Sequence, residues 1–370
     1  MLLDRTEKWF LPTLLLLIGS AGAAWLIATI ISGSDFPVYY SAARQLLEPG
    51  SVVSEIYNVS STGQAVDLPE KYASGNYFIY SPVIAFLLSP LALLPYYVAK
   101  SVLIFFNIAA YGVSVALLLN VVQRWSWRAF WSGGLLFWMP FVVNACVAQV
   151  NALLLLCTVG AIFYAGKNRP VIAGSLLGFA GLFKIFPLGF AFLLGKSAPW
   201  LLLGSVLLFG LGLLCPGTLQ WFEVISTVSA GHTPIYLFAQ THGIAWQLLF
   251  SGVIVGCSLF CLTRARTKSL RVLFAYAVPA TLAAMPVVQY HHLVLLVIPF
   301  LIIWGDAPDA DLSSVSSVIM LGTALHINLR AFWAFLPEAY WSLLAIWGML
   351  SWYLYTTARR VTSATREWEG

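Results

Sequence analysis

Long apolar runs separated by short polar segments make up most of the chain. The runs lack the alternation of apolar and polar residues that is typical of barrel strands. Because lipid offers the peptide backbone no hydrogen-bond partners, such runs must satisfy their own backbone groups as helices. The pattern therefore predicts an all-α, polytopic membrane protein, a single domain over residues 1–370, with about twelve crossings. The predicted crossings are 9–31, 97–122, 129–143, 151–166, 171–184, 186–196, 200–214, 246–262, 272–289, 292–305, 314–332 and 340–357.

Two apolar runs do not fit a simple crossing. The run "SPVIAFLLSPLALLP" (81–95) contains three prolines and is shorter than a typical span of about 20 residues, so we predict an interfacial or re-entrant helix. The run 171–196 is long enough for one helix, but Pro187 disfavours helix at Phe186. We therefore predict a break near "KIFP" (184–187) and two short helices.

The composition is typical of a membrane protein, and the distribution of charge predicts which loops lie on the cytoplasmic side. Only 9% of the residues are charged, whereas a soluble domain carries about 25%. Lys and Arg cluster in short loops, which mark the cytoplasmic side and predict cytoplasmic termini in a bacterial-type inner or plasma membrane. The clusters are Arg124 with Arg128, Lys167 with Arg169, Lys196, the group from Arg264 to Arg271, and Arg359, Arg360 and Arg366. No basic stripe predicts a nucleic-acid partner.

This layout places most other polar groups on the outer face. That face receives a first outer loop (32–96), with short interfacial helices, and a second outer loop (215–245). It also receives the polar segments "NACVAQVN" (144–151) and "QYHH" (289–292). We therefore predict a site on the outer face, at or just below the membrane surface.

Asp35 stands directly after the first apolar run, in "ISGSDFPVYYSAA". Asp is common at the start of a helix, where its side chain caps the first backbone N–H groups. A carboxylate at the mouth of a cavity could instead act as a general base on a substrate hydroxyl. Both interpretations are compatible with the local sequence.

Lys184 and the adjacent pair His291 and His292 are candidates for binding a phosphate. A Lys inside an apolar segment costs about 2.5–3.5 kcal/mol on insertion, so it is a functional candidate, although it could also extend to the interface. Consecutive helical positions point about 100° apart, so at most one of the two His faces a given ligand. Their spacing does not match a metal chelate, and the outer loop lacks repeated Asp or Glu ligands. We therefore assign no metal ligands and no certain cofactor. Whether a divalent metal takes part stays open, although the sequence does not support one.

Other polar and aromatic residues on the outer face are weaker candidates. The aromatic residues could form an interfacial belt or a platform for a sugar or lipid head, the amides could be helix caps, and the Arg could be an interfacial anchor. The weaker candidates for substrate binding are Tyr39, Tyr77, Tyr80, Asn144, Gln149, Asn151, Gln240, His242 and Arg330.

Four stretches, in order, carry a resemblance to a known group of enzymes. They are "SDFPVYYSAARQLLEPGSVVSEIYN", "YFIYSPVIAFLLSPLALLP", "AQVNALLLLCTVGAIFYAGKNRPVIAGSLLGFAGLFKIFPL" and "MPVVQYHHLVLLVIP". The chain resembles the GT-C glycosyltransferase superfamily, most of all its polyprenyl-phosphate-mannose-dependent alpha-mannosyltransferases. The resemblance implies a membrane enzyme that transfers a sugar, mannose foremost, from a polyprenyl-phosphate donor to a glycolipid or glycan hydroxyl, with inversion. It implies Asp35 as general base, and Lys184 with one of His291 and His292 on the departing phosphate.

The chain departs from that family pattern at several positions. Ala148 stands where the family has Gly, and Met285, Val288 and Gln289 replace Ser, Ser and Trp. An inactive assembly subunit on the same scaffold is therefore one alternative. A lipid or glycolipid transporter or flippase is another, because such proteins also have broken helices and buried cations. We find no matching pair of halves, which counts against transport.

Overall fold

The computed structural model describes eight segments of the chain. They are residues 35–58, 78–121, 138–227, 244–265, 269–285, 288–306, 322–327 and 339–367. Their regular structure is helical, without a strand in any of these segments, which confirms the all-α class. The predicted first crossing at 9–31 lies outside the described residues.

The described residues of the first outer loop, 35–58 and 78–96, form three short helical elements. They are α1 (Phe36–Gln45), a first 3-10 helix (Val53–Tyr57) and α2 (Pro82–Ala92). Ser81 caps α2 by accepting a hydrogen bond from the Val83 backbone N–H at 3.2 Å. The Tyr40 hydroxyl of α1 donates to the Leu94 carbonyl at 2.8 Å, so α1 satisfies a backbone group just beyond the end of α2. The predicted separate helix within 81–95 is therefore present.

The next helix, α3 (Tyr96–Val121), follows α2 after a short turn. Within the described segments it is the one helix that is long and apolar enough to cross a membrane by itself, over Tyr96–Leu119. The other apolar helices are shorter, so the number of twelve crossings stays a prediction.

Most of the remaining helices overlap the predicted runs, but some bounds differ. The helices are α4 (Met139–Cys146), α5 (Asn151–Gly166), α6 (Pro170–Phe183), α7 (Pro187–Leu194), α8 (Pro199–Gly212), α9 (Thr218–Thr227), α10 (Ile244–Arg264), α11 (Leu270–Ala284), a second 3-10 helix (Tyr290–Leu296), α12 (Val297–Asp306) and α13 (Ala339–Glu367). Helix α4 ends beyond the predicted 143, α13 ends beyond the predicted 357, and α9 lies where no crossing is predicted. The predicted break in the run 171–196 is confirmed. Lys184 is extended, at φ −148° and ψ 133°, and α7 begins at Pro187.

The boundaries around the His pair differ from the prediction. Helix α11 ends at Ala284 instead of continuing to 289, and Met285 after it is extended. The predicted crossing 292–305 begins as the second 3-10 helix and becomes α-helical only at Val297. The His pair therefore lies on a tight 3-10 turn outside an α-helix.

Helices α6 and α8 pack at very short range through small residues. A Cβ added to Gly174 would overlap the Leu201 carbonyl oxygen, and one added to Gly178 would overlap the Ser205 carbonyl oxygen. The hydroxyl of Ser205 donates to the Gly174 carbonyl at 2.9 Å. Small residues let two helix backbones approach in this way, so that van der Waals packing joins the helices. This packing fixes α6, and Lys184 follows its last residue.

Aromatic contacts bring α4 close to the second 3-10 helix. The buried Trp138 donates from Nε1 to the Leu293 carbonyl at 3.1 Å. On the other side of α4, the ring of Phe141 stacks on Tyr111 of α3, with centroids 3.9 Å apart. Helix α4 therefore joins α3 to the segment that carries the two His.

The described beginning of the second outer loop, residues 215–227, packs on the first outer loop. Trp221 of α9 is buried and donates from Nε1 to the Ile79 carbonyl at 3.1 Å. Gly217, at φ +84°, lies so close to Val53 that an added Cβ would be 2.8 Å from its Cγ1. The hydroxyl of Tyr57 donates to the Tyr80 carbonyl at 2.9 Å. These contacts fix the segment that leads to Tyr80.

Candidate active site

A tight turn between α4 and α5 carries Gln149 into the centre of the site. Ala148 before it has φ 53°, the left-handed region that favours glycine. The Gln149 backbone N–H donates to the Asn144 carbonyl at 2.9 Å, and Asn144 Nδ2 donates to the Gln149 carbonyl at 3.1 Å. The backbone of Gln149 is therefore held on both sides by one residue.

Asp35 occupies the N-cap position of α1, but its side chain does not cap the helix. Its carbonyl accepts from the Val38 backbone N–H at 3.2 Å, as expected at a helix start. Its carboxylate oxygen Oδ2 instead accepts a hydrogen bond from Gln149 Nε2. The side chain is half-buried, so part of it faces solvent. Of the two interpretations of Asp35, the structure does not support a side-chain cap.

Two tyrosines complete the surroundings of Gln149. The hydroxyls of Tyr39 and Tyr80 lie 2.9 Å and 3.1 Å from Gln149 Oε1, and their ring centroids are 4.8 Å apart. Burial is the main reason that the pKa of each phenol is raised above its ordinary value, and negative charge on Asp35 raises the pKa further. Both hydroxyls therefore stay protonated at physiological pH and can donate.

Lys184 pairs with one of the two histidines. Its Nζ lies 2.7 Å from His292 Nε2, while His292 Nδ1 accepts the Gln289 backbone N–H at 3.0 Å. Both ring nitrogens of His292 are therefore engaged within the protein, Nδ1 by the backbone and Nε2 by the lysine. The His291 ring is buried beside His292, and its Nε2 has no partner within the described segments.

Tyr80 is close both to Gln149, which binds the Asp35 carboxylate, and to Lys184. Lys184 Nζ is 5.7 Å from the centroid of the Tyr80 ring, whose hydroxyl reaches Gln149. Lys184 and Asp35 are close enough for their charges to interact. Residues from five separated parts of the sequence (35–39, 80, 144–149, 184 and 291–292) are thus assembled in one largely buried place.

The remaining predicted site residues divide into two groups. Asn151 is fully buried at the first position of α5, and neither side-chain amide atom has a partner within the described segments. Tyr77, Gln240, His242 and Arg330 lie outside the described residues. No group of three or more His, Cys, Asp or Glu that could hold a metal ion occurs among the residues described. The absence of a metal in the predicted site stays a prediction.

Comparison of the chain with models of known protein families shows the family to which it belongs. The model of glycosyltransferase family 87 matches residues 78–288, more than half of the chain. The chain belongs to glycosyltransferase family 87. The predicted GT-C type of enzyme is thereby confirmed, and the protein is a membrane glycosyltransferase. No curated protein and no solved structure matches the chain.

The family 87 match includes part of the site. Tyr80, Gln149 and Lys184 lie within the matched residues, whereas Asp35 and the two His lie outside them. The contacts of Gln149 and Lys184 therefore connect the matched region to both flanking parts of the chain.

Two residues around the family 87 site were not predicted from the sequence. Trp221 and Tyr57 hold the backbone carbonyls of Ile79 and Tyr80. Trp221 lies 142 residues from its partner, and no local pattern marks it. An aromatic residue in an outer loop is typical of any membrane interface, so its role was visible only in the structure.

The site contains two chemically different groups: a carboxylate that can accept a proton, and N–H groups that can donate hydrogen bonds to an anion. Asp35 is a carboxylate held by an amide, and Lys184 with His292 offers N–H groups to an anion. This is the pair of functions that transfer of a glycosyl group from a phosphate needs: a base for the incoming hydroxyl and positive charge for the leaving group.

Proposed function

We propose that this family 87 enzyme transfers a sugar from a polyprenyl-phosphate donor to a hydroxyl of a glycolipid or glycan on the outer face of the membrane. Mannose is the sugar we expect first, because the motifs resemble mannosyltransferases that use such donors. The observation that carries the proposal is a continuous set of contacts. Tyr80 contacts Gln149, which binds the Asp35 carboxylate, and it also lies near Lys184, which pairs with His292.

Asp35 would act as the general base. Its carboxylate takes the proton of the acceptor hydroxyl while that oxygen attacks the anomeric carbon of the donor sugar. The bond between the anomeric carbon and the phosphate oxygen breaks, and the electron pair leaves with the polyprenyl phosphate. Because the motifs resemble inverting enzymes, we expect the hydroxyl to attack the face of the sugar opposite the departing phosphate.

Lys184 and His292 would stabilise the departing phosphate. A phosphate oxygen that replaces Nζ at His292 accepts the Nε2 hydrogen, and the displaced lysine pairs with a second oxygen. Preorganised donors of this kind stabilise developing negative charge more than ground-state charge.

The short helix α2 suits a substrate that carries a lipid. Phe86, Leu87 and Leu93 on and beside it are exposed apolar residues, and α1 packs against its other side. A prenyl chain in the membrane can lie along such a surface while its phosphate reaches the site. The acceptor would approach from the outer loops.

The base is tested with purified protein, polyprenyl-phosphate mannose and a panel of glycolipid acceptors. Other polyprenyl-phosphate sugars serve as competing donors, and product is followed by mass spectrometry. We expect Asp35→Asn to lower kcat by about 10²–10⁴-fold, the contribution typical of a general base. Glu48→Gln, which removes a half-exposed carboxylate three residues beyond α1, is the matched control and should leave kcat unchanged. Full activity in Asp35→Asn would exclude the assignment.

The anion site is tested by Lys184→Met. We expect kcat/KM for the donor to fall by about 10²–10³-fold, as for loss of one preorganised donor. Lys196→Met, at an exposed cation just beyond the other end of α7, is the control and should behave as wild type. An equal effect of both changes would show that only the overall positive charge matters.

A further inference from the structure

The orientation of the Gln149 amide follows from the chemistry of its partners. A carboxylate oxygen can only accept, so the amide atom that faces Asp35 must be Nε2. Oε1 then faces the hydroxyls of Tyr39 and Tyr80. The Tyr80 hydroxyl is also 3.0 Å from Nε2, so both ends of the amide are engaged within the protein.

The backbone supports the same orientation. Asn144 holds both the N–H and the carbonyl of Gln149, and Ala148 adopts a left-handed conformation that costs a residue with a Cβ about 1–2 kcal/mol. Such strain persists only where the surroundings impose it, and it is frequent at functional sites. Gln149 is 2% exposed, so its side chain has little room to turn.

We propose that Gln149 is a positioning residue that acts through Asp35, and not a residue that binds substrate. This rests on the proposed function, in which Asp35 is the base. A general base must lie within hydrogen-bond reach of the proton that it takes, and a half-buried Asp can rotate away from it. The amide, fixed by two tyrosines, holds Oδ2 and thereby the direction of the whole carboxylate.

Replacing the amide by an apolar side chain of similar size should affect turnover more than binding. We expect Gln149→Leu to lower kcat by about 10–100-fold, because misplacing a reacting group by about 1 Å can cost 10²-fold. KM for the donor and for the acceptor should stay within about threefold, since no bond to substrate is lost. A raised KM with unchanged kcat would instead identify Gln149 as a substrate contact and overturn the proposal.

A double-mutant cycle separates a positioning role from a general loss of structure. Residues that act as a unit give strongly non-additive effects. In the Asp35→Asn background, measured by prolonged single-turnover reactions, Gln149→Leu should lower the residual rate by less than about twofold. The same 10–100-fold loss in both backgrounds would contradict a role through Asp35.

The control is another buried amide. Asn107 in α3 is fully buried, and its Nδ2 donates to the Leu103 carbonyl at 3.1 Å within its own helix. Asn107→Leu removes a buried amide of the same kind and should leave kcat unchanged.

A second variant serves if Gln149→Leu does not yield folded protein, or if Asp35→Asn leaves no measurable rate. The double change Tyr39→Phe with Tyr80→Phe keeps both rings and removes the hydroxyls that fix Oε1. We expect it to lower kcat by about 3–30-fold without raising either KM, since a less fixed amide misplaces the base less severely than its complete loss. Unchanged kcat in this variant would also refute the proposal.

Failure of this inference is distinguishable from failure of the proposed function. Full activity in Asp35→Asn, or no transfer from any polyprenyl-phosphate sugar by the wild type, would overturn the proposed function and this inference with it. A strong loss in Asp35→Asn together with wild-type kcat in Gln149→Leu would overturn the positioning role alone.

Discussion

Because α6 and α8 pack closely at Gly174, we predict that a larger residue at this position destabilises the protein. The methyl group of Ala at this position would overlap the Leu201 carbonyl oxygen. It would also lie 2.8 Å from the Leu201 carbonyl carbon and 2.9 Å from the Ser205 backbone nitrogen. Ordinary contact begins at 3.4 Å, and the overlap with the Leu201 oxygen is the most severe, so the backbones must separate by more than about 1 Å at this point. Overpacking of this kind costs about 1–3 kcal/mol.

The separation also weakens a polar contact and disturbs the site. The hydrogen bond from the Ser205 hydroxyl to the Gly174 carbonyl, now 2.9 Å, lengthens with it. Lys184 directly follows α6, so a displaced helix carries the amine away from His292. We expect an apparent Tm lower by several degrees in detergent, and lower kcat/KM for the donor, with both effects in the same variant.

The matched control is Gly210→Ala in α8, where an added Cβ meets nothing within 4 Å. There the better helix propensity of Ala should leave stability unchanged or raise it by up to about 1 kcal/mol. Thermal unfolding is followed by intrinsic tryptophan fluorescence, and transfer by the assay described above. Equal Tm values for Gly174→Ala and Gly210→Ala would refute the packing geometry.

Two further predictions concern the turn and the outer loops. We expect Ala148→Gly to be tolerated better than Ala145→Gly by about 1–2 kcal/mol, because only the first relieves a left-handed backbone, while each removes one buried methyl group. We expect Trp221→Phe to cost about 1 kcal/mol through its lost hydrogen bond to Ile79, and to lower kcat because Tyr80 follows Ile79 directly.

These predictions are checked by heating each variant in detergent and measuring the fraction that stays monodisperse, with transfer assayed in parallel. Trp200→Phe, at a tryptophan that is 60% exposed, is the control for Trp221→Phe and should change stability by less than about 0.5 kcal/mol. An equal loss of stability in Ala148→Gly and Ala145→Gly would contradict the strained backbone at Ala148. An equally small effect of Trp221→Phe and Trp200→Phe would contradict the role of the hydrogen bond from Trp221.

The sequence by itself determined the helical character of the chain and much of its segmentation. Continuous apolar runs leave the backbone no other way to satisfy its hydrogen bonds in lipid, so helices were predictable without tertiary information. The break before Pro187 was predictable for a similarly local reason, since proline disfavours helix at the residue before it. The 3-10 turn at His291 and His292 was not predicted, because the apolar run around it resembles an ordinary helix.

Tertiary structure alone decided what the candidate side chains contact. Asp35 could cap its own helix by local rules, yet its carboxylate is bound by Gln149, 114 residues away. Lys184 could pair with either His, and it lies against His292, 108 residues away. Such partners depend on how helices pack, and that packing depends on the volumes of distant small residues such as Gly174. Local sequence patterns do not show how the side chains of distant helices fit together. They therefore identify the reactive residues but not which of them contact one another.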